Sequence, residues 1–287
     1  MSDIHNEFEP PRQPTAGWFA LNNARKATKG HPEKGPLLTD LRGQAIDLVV
    51  LAGDIDIGSK SIVYADQVSR FLNVRAVSLA GNHEGYGRRD LNLLIPELRA
   101  AAASTEGRVT FLENESVTFD FDGQRLHVLG CTLWTDYAVN GAEPGDIERA
   151  MRNAEDGLND HRLIVQDGRV FTPQDALARH LESRAWLAME IARIQSEDGP
   201  EARILVVTHH APVPEANGEF MGGKLSAAYA SDLRQEIAHW RPDAWFFGHT
   251  HYSFDMMVGP VRVVSAQRGY VCREPGAEDF VPRMVEI

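Results

Sequence analysis

Short runs rich in Val, Ile and Leu recur at residues 46–51, 74–79, 125–129, 204–207 and 244–247. Unbroken apolar runs of this length predict strands buried on both faces. Between them lie stretches of helical period at 59–72, 90–103 and 232–240. In the last, Leu233, Ile237 and Trp240 share one face at i, i+4 and i+7. The tail predicts a hairpin of Phe254–Val258 and Val261–Ser265, turned through Gly259-Pro260. Alternating strands and helices define an α/β class.

Residues 140–200 break the alternation, being more charged and mostly of helical pattern. Thr172, then Pro173 and Asp175, is a helix start with Pro at the first position and an acid in the first turn, and Gly199-Pro200 is the stop. Leu177, Leu181, Ala185, Ala188 and Ala192 are expected to form the buried face. The whole chain, 1–287, is read as a single domain with 140–200 as a helical insertion and candidate cap.

Four of the five apolar runs end within three residues of a polar cluster. The clusters are Gly53-Asp54, Gly81-Asn82-His83-Glu84, Thr208-His209-His210 and Gly248-His249-Thr250-His251, and Asp3-Ile4-His5 stands at the start. Polar residues just past the carboxyl ends of buried strands are where open α/β sheets place their sites. Taken singly, each cluster is an ordinary turn or strand end. Taken together, they supply imidazole, carboxylate and amide oxygen, a donor set suited to Zn, Mn or Fe. Two Asp, one Asn and four His are more ligands than one ion takes while keeping an open position, so two ions sharing a carboxylate fit better.

Composition narrows the partners. The 287 residues carry 41 Asp and Glu against 29 Lys and Arg, a formal charge of -12. That balance disfavours duplex nucleic acid, which is held through basic patches, and an anionic membrane surface. Two cysteines, Cys131 and Cys272, make no disulfide framework. A polar, acidic start and the lack of a long apolar run lead to the expectation of a soluble cytoplasmic protein with no membrane association.

The ordered set D-x-H, G-D, G-N-H-[DE], H and G-H-x-H resembles the calcineurin-like metallophosphoesterase superfamily, and the match runs from Asp3 to His251. Thr132-Leu133-Trp134-Thr135-Asp136 is also similar to a T-L-W-T-D segment of a bacterial branch known only by class, as phosphoesterases. The resemblance implies a two-layer β-sandwich flanked by helices and a hydrolase cleaving a small phosphomonoester or phosphodiester. The attacking group would be a hydroxide bridging two divalent ions (Mn, Fe or Zn). By the same resemblance Asp3, His5 and His251 hold one ion, Asn82, His209 and His249 the other, and Asp54 bridges. His83 serves the leaving oxygen as catalytic acid, and Glu84 orients neighbours. His209, directly after its strand, is favoured over His210 as the ligand, leaving His210 on the substrate side with Trp134, Tyr137 and Arg268. Asn159, Asp160, His161 and Arg162 are candidates to cap the cleft. The block Gly53-Asp54-Ile55-Asp56-Ile57-Gly58 holds no Arg, which sets the chain apart from the protein phosphatases of that superfamily. Only Met1 and Ser2 precede Asp3, so either the first strand is short or the chain starts further upstream, and with the sequence as given a weaker hold on the first ion is expected. A nuclease and a non-catalytic scaffold on the same fold are the alternatives.

Overall fold

The computed structural model describes residues 1–8, 41, 43–270, 273–274, 276–277 and 280–287. Cys272 lies outside them, and Cys131 is a buried free thiol. The strands are β1 (Leu48–Leu51), β2 (Arg75–Ser78), β3 (Arg89–Asp90), β4 (Val109–Phe111), β5 (Glu115–Phe121), β6 (Gln124–Cys131), β7 (Ile164–Gln166), β8 (Arg169–Val170), β9 (Arg203–Thr208), β10 (Ala244–Phe246), β11 (Phe254–Val258) and β12 (Val261–Ser265). The main helices are α1 (Lys60–Leu72), α2 (Leu91–Ala103), α3 (Pro144–Gly157), α4 (Pro173–Asp198) and α5 (Arg234–Trp240).

Three parallel strands in the order β1-β2-β4 form one sheet, and six in the order β11-β12-β10-β9-β6-β5 form the other. In the larger sheet β12, β10, β9 and β6 run parallel, with β11 and β5 antiparallel at the two edges. Val77, Leu79 and Leu112 from one sheet pack against Phe119, Val128, Leu205 and Val207 from the other. The molecule is therefore a two-layer sandwich whose core lies between the sheets. Helices α1 and α2 cover the outer face of the smaller sheet, through Ile62, Ala65 and Val68 on one and Leu91, Leu94 and Leu98 on the other. Helices α4 and α5 cover the larger sheet.

The predicted strands, hairpin and helices all form, within two residues of their expected ends. One feature was not expected and one differs. The insertion is mostly helical, but it also holds β7 and β8, which pair with β3 in a small third sheet. Strands of two or three residues are too short to show an alternating pattern. The buried face of α4 is also one stripe away from the expected one. It comprises Ala176, His180, Ser183, Leu187, Ile191 and Ile194, whereas Leu181 is 53% exposed. The true stripe carries two polar residues, so apolarity selects the wrong one. His180 lies against the backbone of Leu133 and Trp134, and Ser183 meets the Cys131 thiol. The helix start is as expected: Thr172 and Asp175 form a reciprocal capping box.

Because the inner strands run parallel, their carboxyl ends share one edge of the sandwich. The first residues join that edge from between the sheets. Ala52 N donates to Met1 O and Asp3 N to Gly53 O on one side, while Ser2 N donates to Ala266 O and Gly269 N to Asp3 O on the other. Asp3 is thus laddered from both sides despite the short run before it. A cavity of about 790 Å³ opens between the sheets, lined by Leu48, Leu126 and Leu205 toward the amino ends of their strands and by Ala52, Phe247 and Ser265 at the carboxyl ends, and by none of the polar clusters.

Candidate metal centre

All five polar clusters meet at the shared edge. Ligand atoms of Asp3, His5 and His251 lie within 4.8 Å of one another, as do those of Asp54, His209 and His249, and those of His5, Asp54 and His83. Asp54 stands between the groups, with Oδ2 3.9 Å from His5 Nε2 and Oδ1 3.4 Å from His209 Nε2. Asn82 Oδ1 is 3.0 Å from His209 Nε2. Apart from the 17%-exposed His251 side chain, these groups are buried.

The glycines of the motifs make room for this convergence. A Cβ on Gly81 would stand 2.1 Å from Asp54 Oδ1, and one on Gly248 would stand 2.9 Å from Asp3 Oδ2. Asp3, His5, Asp54, His249 and His251 all take positive φ, between 52° and 75°. Such conformations are uncommon outside glycine and concentrate where function demands a geometry.

The imidazoles are set by their remote nitrogens. His5 Nδ1 donates to Glu7 Oε1 at 3.1 Å, His251 Nδ1 to Glu274 Oε1 at 2.8 Å, and His209 Nδ1 to the Ala52 carbonyl at 2.8 Å. A carboxylate or carbonyl only accepts, so each of these rings presents the lone pair of Nε2 to the cluster. His5 Nε2 and His251 Nε2 are 2.9 Å apart, and His209 Nε2 and His249 Nδ1 are 3.1 Å apart. Two nitrogens bound to one ion at about 2.0–2.1 Å and a right angle lie about 3 Å from each other. Converging lone pairs at that spacing repel unless a cation stands between them, so the donors fit a divalent ion. Without one, protons take its part: burial opposes the charge on His209, but Asp54 outweighs it and holds that ring up to about 10. His249 stays neutral, its pKa driven well down by burial and by His210 and His209.

His83 sits at the rim of the cluster. Its Nδ1 donates to Glu7 Oε1 at 2.6 Å, while its Nε2 lies 3.9 Å from Asp54 Oδ2 and 3.2 Å from the Tyr270 hydroxyl. Burial opposes its charge, but Asp54 and Glu7 prevail and raise it to about 9. Glu84 is fully buried and accepts from Asp54 N, Ile55 N and Gly81 N at 3.0, 2.9 and 2.7 Å. It therefore clamps the loop after β1 to the loop after β2 and touches no ligand side chain.

Of the other sequence candidates, His210 is buried with its ring 4.0 Å from that of His249, and the Trp134 ring packs at a tilt against those of Phe171 and His210. Tyr137 is buried. Arg268 donates to the carbonyls of Ile4 and Ala277. Asp160 and His161 are buried, while Asn159 and Arg162 are exposed. Sequence reasoning passed over Glu7, Glu274, Tyr86 and Tyr270. Glu7 follows His5 by two residues but lies in a 3-10 turn, Asn6–Phe8, so no strand periodicity marks it. The others lie outside the motif blocks.

A sandwich with this cluster at its edge defines a metal-binding phosphoesterase class, and the comparisons agree. The description calcineurin-like phosphoesterase matches residues 1–253, and the chain belongs to that family. No curated protein matches it. Phosphopantetheinyl hydrolase from Mycobacterium tuberculosis shares the fold at a TM-score of 0.67 and 14% identity, over 99% of this chain and 97% of that one. A dimetal phosphatase from Danio rerio aligns at a TM-score of 0.44 and 16% identity, over 93% and 85%. Among the described residues no helix is long and apolar enough to cross a membrane.

Proposed function

We propose that this chain hydrolyses small phosphoesters at a two-ion centre. The observation that carries the reading is the convergence of the His5, His251 and His209 lone pairs, each ring fixed by an acceptor at its far nitrogen. Asp3, His5 and His251 would hold one divalent ion and Asn82, His209 and His249 the other. Asp54, whose two oxygens face opposite groups, would serve both. Bound there, Mn, Fe or Zn ions supply an activated water at neutral pH and offset phosphoryl charge. His83 supplies a proton: Glu7 takes its Nδ1–H, leaving Nε2 to face the cluster and protonate the departing oxygen. Burial keeps the neighbouring Tyr270 hydroxyl protonated and able to donate.

The formal net charge of -12 favours a short substrate over a polyanion, because the field of bound ions would dominate near the centre and be screened within about 10 Å. The test is metal analysis of the purified protein together with Mn²⁺-supported hydrolysis of p-nitrophenyl phosphate, bis-p-nitrophenyl phosphate and a phosphopantetheine ester. Protein that takes up no metal and turns over none of the three overturns the proposal. Asp54→Asn is expected to lose both metal and activity. His83→Ala should keep the metal and lose about 10²–10⁴-fold in kcat, the range for a general acid; loss of metal in that variant would refute the division of roles.

A further inference from the structure

We infer that Asp160, contributed by the insertion, is the positioning residue that turns the Asn82 amide so that its oxygen faces the metal centre. This rests on the two-ion reading above. An amide has one end that can ligate, the carbonyl, and one that cannot, the NH₂. The two differ little in shape, so the surrounding hydrogen bonds must choose. Asn82 Nδ2 donates to Asp160 Oδ1 at 2.8 Å and to the Tyr86 hydroxyl at 3.2 Å, and that hydroxyl donates to the same Asp160 oxygen at 2.7 Å. The carboxylate only accepts. A flipped Asn82 would press carbonyl oxygen against carboxylate oxygen, in a place where Asp160 is 4% exposed and water cannot intervene. The flip is thereby closed off, and Oδ1 is left beside His209 Nε2 at 3.0 Å.

The insertion does not depend on this contact to stay in place. Ala150, Met151, Ala154, Ile164 and Phe171 anchor it in the hydrophobic core. Asp160 can therefore be changed without undocking the segment, and the change reads on the metal. In Asp160→Asn the new amide can donate as well as accept, so Asn82 is free to turn its NH₂ toward the cluster. In Asp160→Ala the acceptor is gone.

The experiment is calorimetric titration of the full-length protein with Mn²⁺, and its melting temperature with and without Mn²⁺, for wild type, both variants and Glu148→Gln, an exposed change in the same insertion. In both Asp160 variants one Mn²⁺ equivalent should bind about 10–100-fold more weakly, the usual cost of losing a group that orients a ligand, with the other equivalent unchanged. The rise in melting temperature on adding Mn²⁺ should shrink with it, and Glu148→Gln should match wild type. If both equivalents bind as in wild type and the melting temperature falls equally with and without Mn²⁺, Asp160 is merely structural and the inference is overturned. Wild-type protein that takes up no Mn²⁺ overturns the two-ion reading and this inference together.

Discussion

Substituting Glu84 by Gln tests whether the site's geometry is held by backbone amides bound to one buried carboxylate. Glu84 accepts from three N–H groups, two at Oε2 (Asp54 and Gly81) and one at Oε1 (Ile55). Glutamine keeps a single acceptor. With its oxygen in the Oε2 position it serves Asp54 N and Gly81 N, and its own NH₂ confronts Ile55 N. One buried N–H is then unsatisfied and two charge-assisted bonds become neutral ones, a cost of about 2–4 kcal/mol. At roughly 2–4 °C per kcal/mol for a large domain, the melting temperature should fall by about 4–16 °C. The measurement belongs in the presence of Mn²⁺. In the metal-free protein, burial and then Asp54 push the Glu84 carboxyl up to about 8, and a cation beside Asp54 offsets the second cause. Differential scanning calorimetry gives the shift, and metal analysis of the same samples should show reduced occupancy, because the Asp54 loop is released. Glu84→Ala strands all three N–H groups at about 1–3 kcal/mol each, enough to consume most of a domain's ordinary stability, and should yield little folded protein. A Gln variant that melts within about 2 °C of wild type and keeps its metal would refute the clamp.

Two further tests address the frame. Leu187→Ala, on the buried stripe of α4, should cost about 2–5 kcal/mol in urea unfolding, whereas Leu181→Ala should stay within about 0.5 kcal/mol; equal losses would contradict the observed face. The Asp175 carboxyl is held down at about 2, chiefly by hydrogen bonds from Arg169 and then by those within the capping box with Thr172, against the opposing effect of burial. A group depressed on folding stabilises above its unfolded pKa and stops doing so as pH falls through its folded one. Asp175→Ala should therefore cost about 1–2 kcal/mol at pH 7 and progressively less from pH 4 down to pH 2. A penalty that does not change over that window would show that the loss comes from packing.

The side chains that converge at the edge were legible because the chemistry of a metal site dictates both residue type and place. A metal site at the ends of parallel strands needs a short apolar run, a glycine where backbone and ligand crowd together, and then the donor. Gly81-Asn82 and Gly248-His249 show all three in order. Glu274 and Asp160 follow no such rule. Each reaches its partner from a segment outside the motif blocks, and Asp160 was expected only as one of four residues capping the cleft, with no signal that it would meet Asn82. The sandwich was legible from the strand runs only with the family resemblance, since periodicity alone does not say that two sheets stack. The buried stripe of α4 was misread because two polar side chains, His180 and Ser183, sit on its inward face, and a count of apolar residues passes over them.

The ligands also come from different layers of the sandwich. Asp54 and Asn82 extend from the three-stranded sheet, His209, His249 and His251 from the six-stranded one, and Asp3 and His5 from the segment wedged between them. A cation gathered by these groups would rivet the two layers at one edge, where the backbone of residues 1–3 already ties them together. Removing the ions should then leave that edge joined by the backbone hydrogen bonds of residues 1–3 alone, so that the two layers lose one fastening and remain together.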